Sequence, residues 1–110
     1  MRVLVCGGRD YADYAKMESI LDEYNIDLII HGGARGADSL AGLYAYYKNI
    51  AVQKYEADWY SYGKKAGFIR NQRMLDEGKP ELVIAFPGGA GTADMINRAQ
   101  TQGFKVEIIK

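Results

Sequence analysis

Three glycine-rich stretches stand beside charged residues in this 110-residue chain: "CGGRDY" at 6–11, "HGGARGAD" at 31–38 and "FPGGAGTADM" at 86–95. Glycine lets a backbone turn sharply and brings unhindered N–H groups against a ligand. At a helix start those groups also carry the positive end of the helix dipole, which suits an anion. Gly88, Gly89, Gly91 and Thr92 therefore form a candidate phosphate cradle, with the Thr92 hydroxyl bonding a phosphate oxygen or capping the helix. Gly7, Gly8, Arg9 and Asp10 in the first turn, and Gly32, Gly33, Ala34 and Arg35 in the second, complete the candidate binding set. Both arginines could reach a phosphate. The plainer alternative is three tight strand-to-helix turns, and it is the convergence of all three that favours a ligand. No G-x-x-x-x-G-K-[ST] occurs, and the first turn lacks G-x-G-x-x-G spacing, which argues against ordinary P-loop and dehydrogenase sites.

Other polar residues carry two readings each. Asp38 opens the second helix, where it either favours the dipole as a cap or takes a ribose hydroxyl. His31 ends a strand and could act as a general base, but without a visible partner a structural bond to a neighbouring carbonyl is preferred. The stretch "EADWYSYGKKAGFIRNQRMLDEG" puts Gly67, Arg70, Asn71 and Met74 on one helical face. That face is either aimed at a ligand, with Arg70 as the best charged candidate, or serves solvent or a subunit contact. Most of the tyrosines, such as Tyr44 and Tyr47, fit helix packing, while Trp59 and Tyr11 are candidate lids over a base.

The elements that must position these residues follow from periodicity. Short apolar runs at Val3–Val5, Leu28–Ile30, Ile50–Val52, Leu82–Phe86 and Val106–Ile109 are of strand length, and helical spacings separate them. Asn25, Asn49, Gly78 and Gly103 follow the last periodic residues and predict left-handed stops for four helices. Strand and helix thus alternate, which predicts a three-layer, doubly wound α/β domain with a five-stranded parallel sheet. Runs one, two and four are apolar throughout, whereas "VQKYE" and "KVEIIK" alternate like half-covered edges, giving the order 3-2-1-4-5. Ligands of such sheets sit beyond the strand C-termini where the winding reverses, here between strands one and four.

Composition narrows the partners. The 14 Lys and Arg balance 14 Asp and Glu, so the basic footprint of a nucleic-acid binder is missing. The apolar runs fall far short of the roughly 20 residues of a membrane span, and the expected location is cytoplasmic. Cys6 is alone and His31 is the one histidine, so neither a disulfide within the chain nor a Cys/His zinc cluster is expected. Residues 1–110 are expected to form one domain without a linker.

Taken in order, "GGRDY", "HGGARGAD", "ADWYSYGKKAGFIRNQRM" and "FPGGAGTADM" resemble the SLOG superfamily of Rossmann-like nucleotide-binding domains, in its small stand-alone YspA-type form. The resemblance covers the whole chain. It implies a nucleotide or nucleotide-derived ligand, with phosphate held from Pro87 to Thr92 and ribose or base nearer Gly8, Arg9 and Gly33. Relatives of the LOG type are phosphoribohydrolases that cleave the N-glycosidic bond of nucleoside monophosphates with an arginine and a glutamate. Arg70 matches that arginine, Asn71 replaces the lysine beside it, and the glutamate position falls on Met95. Asp94 is adjacent but projects about 100° away on a helix. The expected function is capture of a phosphate-bearing nucleotide derivative, such as an ADP-ribose-like molecule, by a homodimer or higher homo-oligomer without a cofactor. Sequestering a nucleotide signal would suit a phage or mobile-element product. The alternative is a nucleoside-monophosphate phosphoribohydrolase using Arg70 with Asp94, Asp10 or Asp38; a pure interaction module is a weaker third.

Overall fold

The computed structural model describes residues Met1–Lys110. Five strands, β1 (Arg2–Cys6), β2 (Leu28–His31), β3 (Ala51–Lys54), β4 (Leu82–Ala85) and β5 (Val106–Ile108), form one sheet in the order β3-β2-β1-β4-β5. Every pairing is parallel, with Val3 opposite Ile29 on one side and Leu82 on the other. The helices are α1 (Tyr14–Leu21), α2 (Ala37–Lys48), α3 (Trp59–Tyr62), α4 (Ala66–Gly78) and α5 (Ala90–Thr101), with a 3₁₀ turn at Gly63–Lys65.

Alternation along the strands divides the core between two faces. Val3, Val5, Ile29 and Ile84 point to one side and pack with Met17 and Leu21 of α1 and Ala41 and Tyr44 of α2. Leu4, Ile30 and Val83 point to the other, against Met74 and Leu75 of α4 and Met95 and Ala99 of α5. Because β1, β2 and β4 are covered on both faces they are apolar except at the ends, where Arg2 starts β1 and His31 closes β2, whereas β3 and β5 are largely exposed edges. The order and class read from the sequence therefore hold. This is a Rossmann-like fold with the winding reversed between β1 and β4.

Element ends differ in places from the sequence reading. Asn49 takes the expected left-handed backbone, with φ 57°, and Gly103 has φ 88°. At α4, Gly78 is still helical and Lys79 makes the left-handed stop; a side chain on Gly78 would press on Ile30, so packing and not the turn accounts for this glycine. Asn25 stops no helix: α1 ends at Leu21 with Asp22 as its cap, and turn bonds from Glu23 and Tyr24 continue the coil. Trp59, read as part of a connection, starts the short α3, which Asp58 caps by accepting the Ser61 N–H at 3.0 Å. Of the tyrosines read as packing residues, Tyr44 is buried but Tyr47 is exposed.

Candidate binding cleft

The loops after β1, β2 and β4 meet at the C-terminal edge of the sheet, and they are pinned to one another before any ligand is considered. Gly8 N–H donates to Pro87 O at 2.9 Å, and Ala37 N–H donates to Gly8 O at 3.1 Å. A side chain on Gly88 would come within 2.7 Å of Gly8 N and collide with Thr92 Oγ1. Gly36, at φ 82°, lies so close to Gly8 and Arg9 that any Cβ would overlap their backbone. Arg35 fastens the first two turns from outside, donating to Arg9 O at 3.2 Å and pairing with Asp10 at 3.1 Å. These contacts account for Gly7, Gly8, Gly36 and Gly88 as packing glycines.

Gly89 and Gly91 are different, since a Cβ at either would meet nothing within 4 Å. Gly89 is the N-cap of α5 and has no side-chain oxygen to offer, so the first turn of that helix carries no side-chain cap. Thr92 does not supply one either; it is buried beneath the turn. The open glycines and the dipole end of α5 border a cleft of about 800 Å³. Its walls hold Gly7 to Asp10, Tyr11, Ala34, Asp38, Trp59, Gly67, Arg70, Asn71, Met74 and Pro87 to Thr92. Gly32, Gly33 and Arg35 lie around a second hollow next to it. The structure thus brings the sequence-selected glycines and arginines to one rim.

Arg70 is the central cation. Its Nη1 donates to Gly32 O at 2.6 Å and its Nε to Asn71 Oδ1 at 3.2 Å, and no carboxylate pairs with it. Burial lowers its pKa from the usual value, opposed by the charge of Asp38. Gly32 has to be glycine for this guanidinium to lie where it does, because a Cβ there would fall 2.7 Å from Arg70 Cζ. Asn71 reaches in the other direction, its Nδ2 donating to Gly91 O at 3.2 Å and to Asp94 Oδ2 at 3.0 Å. One buried amide therefore joins the arginine to the glycine turn.

Asp94 and Met95 lie away from the cleft wall. Asp94 is held by Asn71 and by an ion pair with Arg98 at 2.7 Å. Met95 is fully buried against the sheet among Leu4, Met74 and Ala99. Asp38, lining the cleft, accepts the Ala34 N–H at 3.1 Å and thereby braces the second turn instead of capping α2. Burial raises its pKa, countered by backbone bonds from Ala34 and Gly32 and by Arg70. His31 is buried and its Nδ1 accepts the Gly33 N–H at 3.0 Å, so its partner is a backbone donor and not a carbonyl. Desolvation, with Lys54 and Arg70 nearby, pushes its pKa down to about 4, so it is neutral at pH 7. Cys6 sits on the cleft floor with its thiol pushed up to about 12 by burial. Lys64, which the sequence reading passed over, also borders the cleft. Its signal was a Lys-Lys pair just before a helix start, where the dipole disfavours cations.

A Rossmann-like sheet with glycine turns gathered at its reversal point defines a class of fold that takes ligands beyond its strand C-termini. Within that class the chain belongs to the YspA, cpYpsA-related SLOG family (YAcAr), whose profile matches residues 1–62. It is also 35% identical, over 117 aligned positions, to the "Gene 61 protein" of Mycobacterium phage D29. That alignment spans 96% of this chain and 93% of the phage protein. No helix is long and apolar enough to cross a membrane.

Proposed function

We propose that this protein captures a nucleotide or nucleotide-derived small molecule by its phosphate, in the cleft between the glycine turn of α5 and Arg70. The observation that carries the reading is Arg70 itself: a half-buried guanidinium without a carboxylate partner, tied by Asn71 to the open turn at Gly91. An unpaired, partly desolvated cation is costly unless an anion completes it, and its planar fork matches phosphate oxygens. Uncapped N–H groups at Gly89 to Thr92 supply the facing donors. Pro87, Gly88 and Gly8 hold that turn in place, and Trp59, Tyr11 and Arg9 flank the space for ribose and base.

The family supports a nucleotide-related role, and a nucleotide signal captured here would be withheld from any other receptor. Binding is the preferred activity because the carboxylate nearest to the hydrolase motif, Asp94, is engaged by Arg98 and Asn71. The protein would act as a cytoplasmic homo-oligomer, for which the exposed Tyr46 and Tyr47 offer an aromatic surface.

Equilibrium binding of a nucleotide panel, read by calorimetry and by melting temperature, tests this. Saturable binding by a phosphate-bearing nucleotide is expected, lost in Gly89→Phe and weakened in Arg70→Ala. Unchanged affinity in both variants would remove the site from Arg70 and the turn. Release of free base from a nucleoside monophosphate would replace capture by hydrolysis.

A further inference from the structure

Asn71 is buried, and both ends of its amide are engaged. Oδ1 accepts from Arg70 Nε at 3.2 Å, while Nδ2 donates to Gly91 O at 3.2 Å and to Asp94 Oδ2 at 3.0 Å. A guanidinium can only donate, and a carbonyl or an ionised carboxylate can only accept. Turning the amide over would set its NH2 group against Arg70 and its oxygen against two acceptors, so only one of its two orientations satisfies all three neighbours. Gly91 O is fixed by the backbone of α5, but Asp94 is a side chain that must itself be held. Arg98, one turn further along α5, does this by donating from Nε to the same Oδ2 at 2.7 Å. A line of hydrogen bonds thus runs from Arg98 through Asp94 and Asn71 to Arg70, and on from Arg70 Nη1 to Gly32 O at 2.6 Å.

The effect falls on Arg70. With Nε and Nη1 tied to the protein, Nη2 is the guanidinium nitrogen left without a partner. It stands beside Gly67, where an added Cβ would lie 3.8 Å from it, and Gly67 and Arg70 both line the cleft while Asp94 does not. Holding α4 against α5 is a separate task with its own side chains. Gln72 and Gln102 exchange amide bonds of 2.9 and 2.8 Å between the two helices without touching Asn71.

We infer that Asp94, held by Arg98, is a positioning residue: it sets the Asn71 amide with its oxygen toward Arg70 and so directs the free nitrogen of Arg70 into the cleft. Asp94 then acts on a bound anion through two intervening side chains. What Arg70 is positioned for rests on the nucleotide reading above.

Nitrogen-edited NMR of the arginine Nε–H groups reads the positioning without any nucleotide, with the Arg70 signal assigned by its loss in Arg70→Ala. Removing one hydrogen bond from the line in Asp94→Ala should speed exchange of that proton with water by about two- to tenfold. Calorimetry with AMP, GMP, UMP and CMP should show a rise in Kd of about the same factor for the one that binds most tightly. Asp94→Asn keeps an oxygen that both Asn71 and Arg98 can use, and should restore both readouts to within about twofold of the parent. Arg98→Ala should act in the same direction but less strongly, which keeps the test open if Asp94→Ala folds poorly. Gln102→Ala should lower the melting temperature and leave both readouts where they were. An Arg70 signal unmoved in Asp94→Ala and Arg98→Ala, or an equal loss of affinity in Gln102→Ala, would overturn the inference. If the Arg70 signal responds as described but none of the nucleotides binds, the orientation of Arg70 is upheld and the nucleotide reading falls.

Discussion

Gly91→Ala should move stability and affinity in opposite directions. Gly91 is the second residue of α5, and a Cβ placed there meets nothing within 4 Å. Its carbonyl, which accepts from Asn71 Nδ2 at 3.2 Å, is untouched by the change. Replacing glycine by alanine in a helix stabilises by roughly 0.5–1 kcal/mol, through a smaller loss of backbone freedom on folding. For a chain of this length, each kcal/mol corresponds to about 4 °C, so the melting temperature should rise by about 2–4 °C. The added methyl, however, stands at the rim where phosphate oxygens would approach the N–H groups of the turn. Losing one charge-assisted hydrogen bond costs about 1.5–3 kcal/mol, which is roughly a 10- to 100-fold increase in Kd. Thermal melts without ligand and calorimetry with the best-binding nucleotide measure the two effects on the same preparation. A variant that is more stable and binds as well as the parent would refute the cradle and leave the glycines as turn residues. Gly88→Ala is the control, since its Cβ would lie 2.7 Å from a Gly8 nitrogen already bonded to Pro87. Overpacking of that kind costs about 1–3 kcal/mol, so its melting temperature should fall by about 4–12 °C.

Further outcomes follow from the polar contacts. Gly32→Ala should displace the flexible end of Arg70 while sparing the fold, raising Kd for a nucleotide about tenfold with little change in melting temperature. Asn71→Leu removes the amide bonds to the Gly91 carbonyl and to Asp94, which keeps Arg98, and should cost about 1–3 kcal/mol in denaturant unfolding. His31 titrates near 6.5 when unfolded and about 4 when folded, so the unfolded chain takes up the proton first as pH falls. Its neutral burial therefore favours folding above about pH 6.5, a benefit lost between there and pH 4 and worth up to about 3 kcal/mol. Asp38, with its raised pKa, acts with the opposite sign in acid. The comparison of parent and His31→Gln melts from pH 7.5 to 4 isolates the histidine: the variant should lose less stability on acidification, and parallel curves would contradict the assignment.

The sheet was legible because burial on both faces forces a composition on a strand that nothing else produces. Val3–Val5 and Leu82–Ala85 have no exposed side and are apolar at each residue, while Gln53, Lys54 and Glu107 betray the edges. Convergence of the glycine turns followed directly from that order. What each glycine does was not legible, because Gly88 and Gly89 differ only in what lies across from them in space. The same holds for Asp38, whose partner is the Ala34 N–H and not the helix end it adjoins. Helix ends were less legible: Gly78 is a glycine because Ile30 leaves no room for a side chain and not because α4 stops there, and Asn25 lies beyond a helix that Asp22 has already closed. Helical geometry alone put Asp94 about 100° from Met95, but its engagement by Arg98 and Asn71 required the fold.

Met95 has a consequence for how such a protein can change over evolutionary time. The side chain is sealed between α5 and the sheet, with Leu4, Cys6 and Met74 around it. A glutamate introduced there alone would sit in an apolar pocket, and it would either remain protonated or unsettle the packing around it. Acquiring a carboxylate at that position therefore calls for several neighbours to change together. A single exchange there would be felt as lost stability before any gain in chemistry.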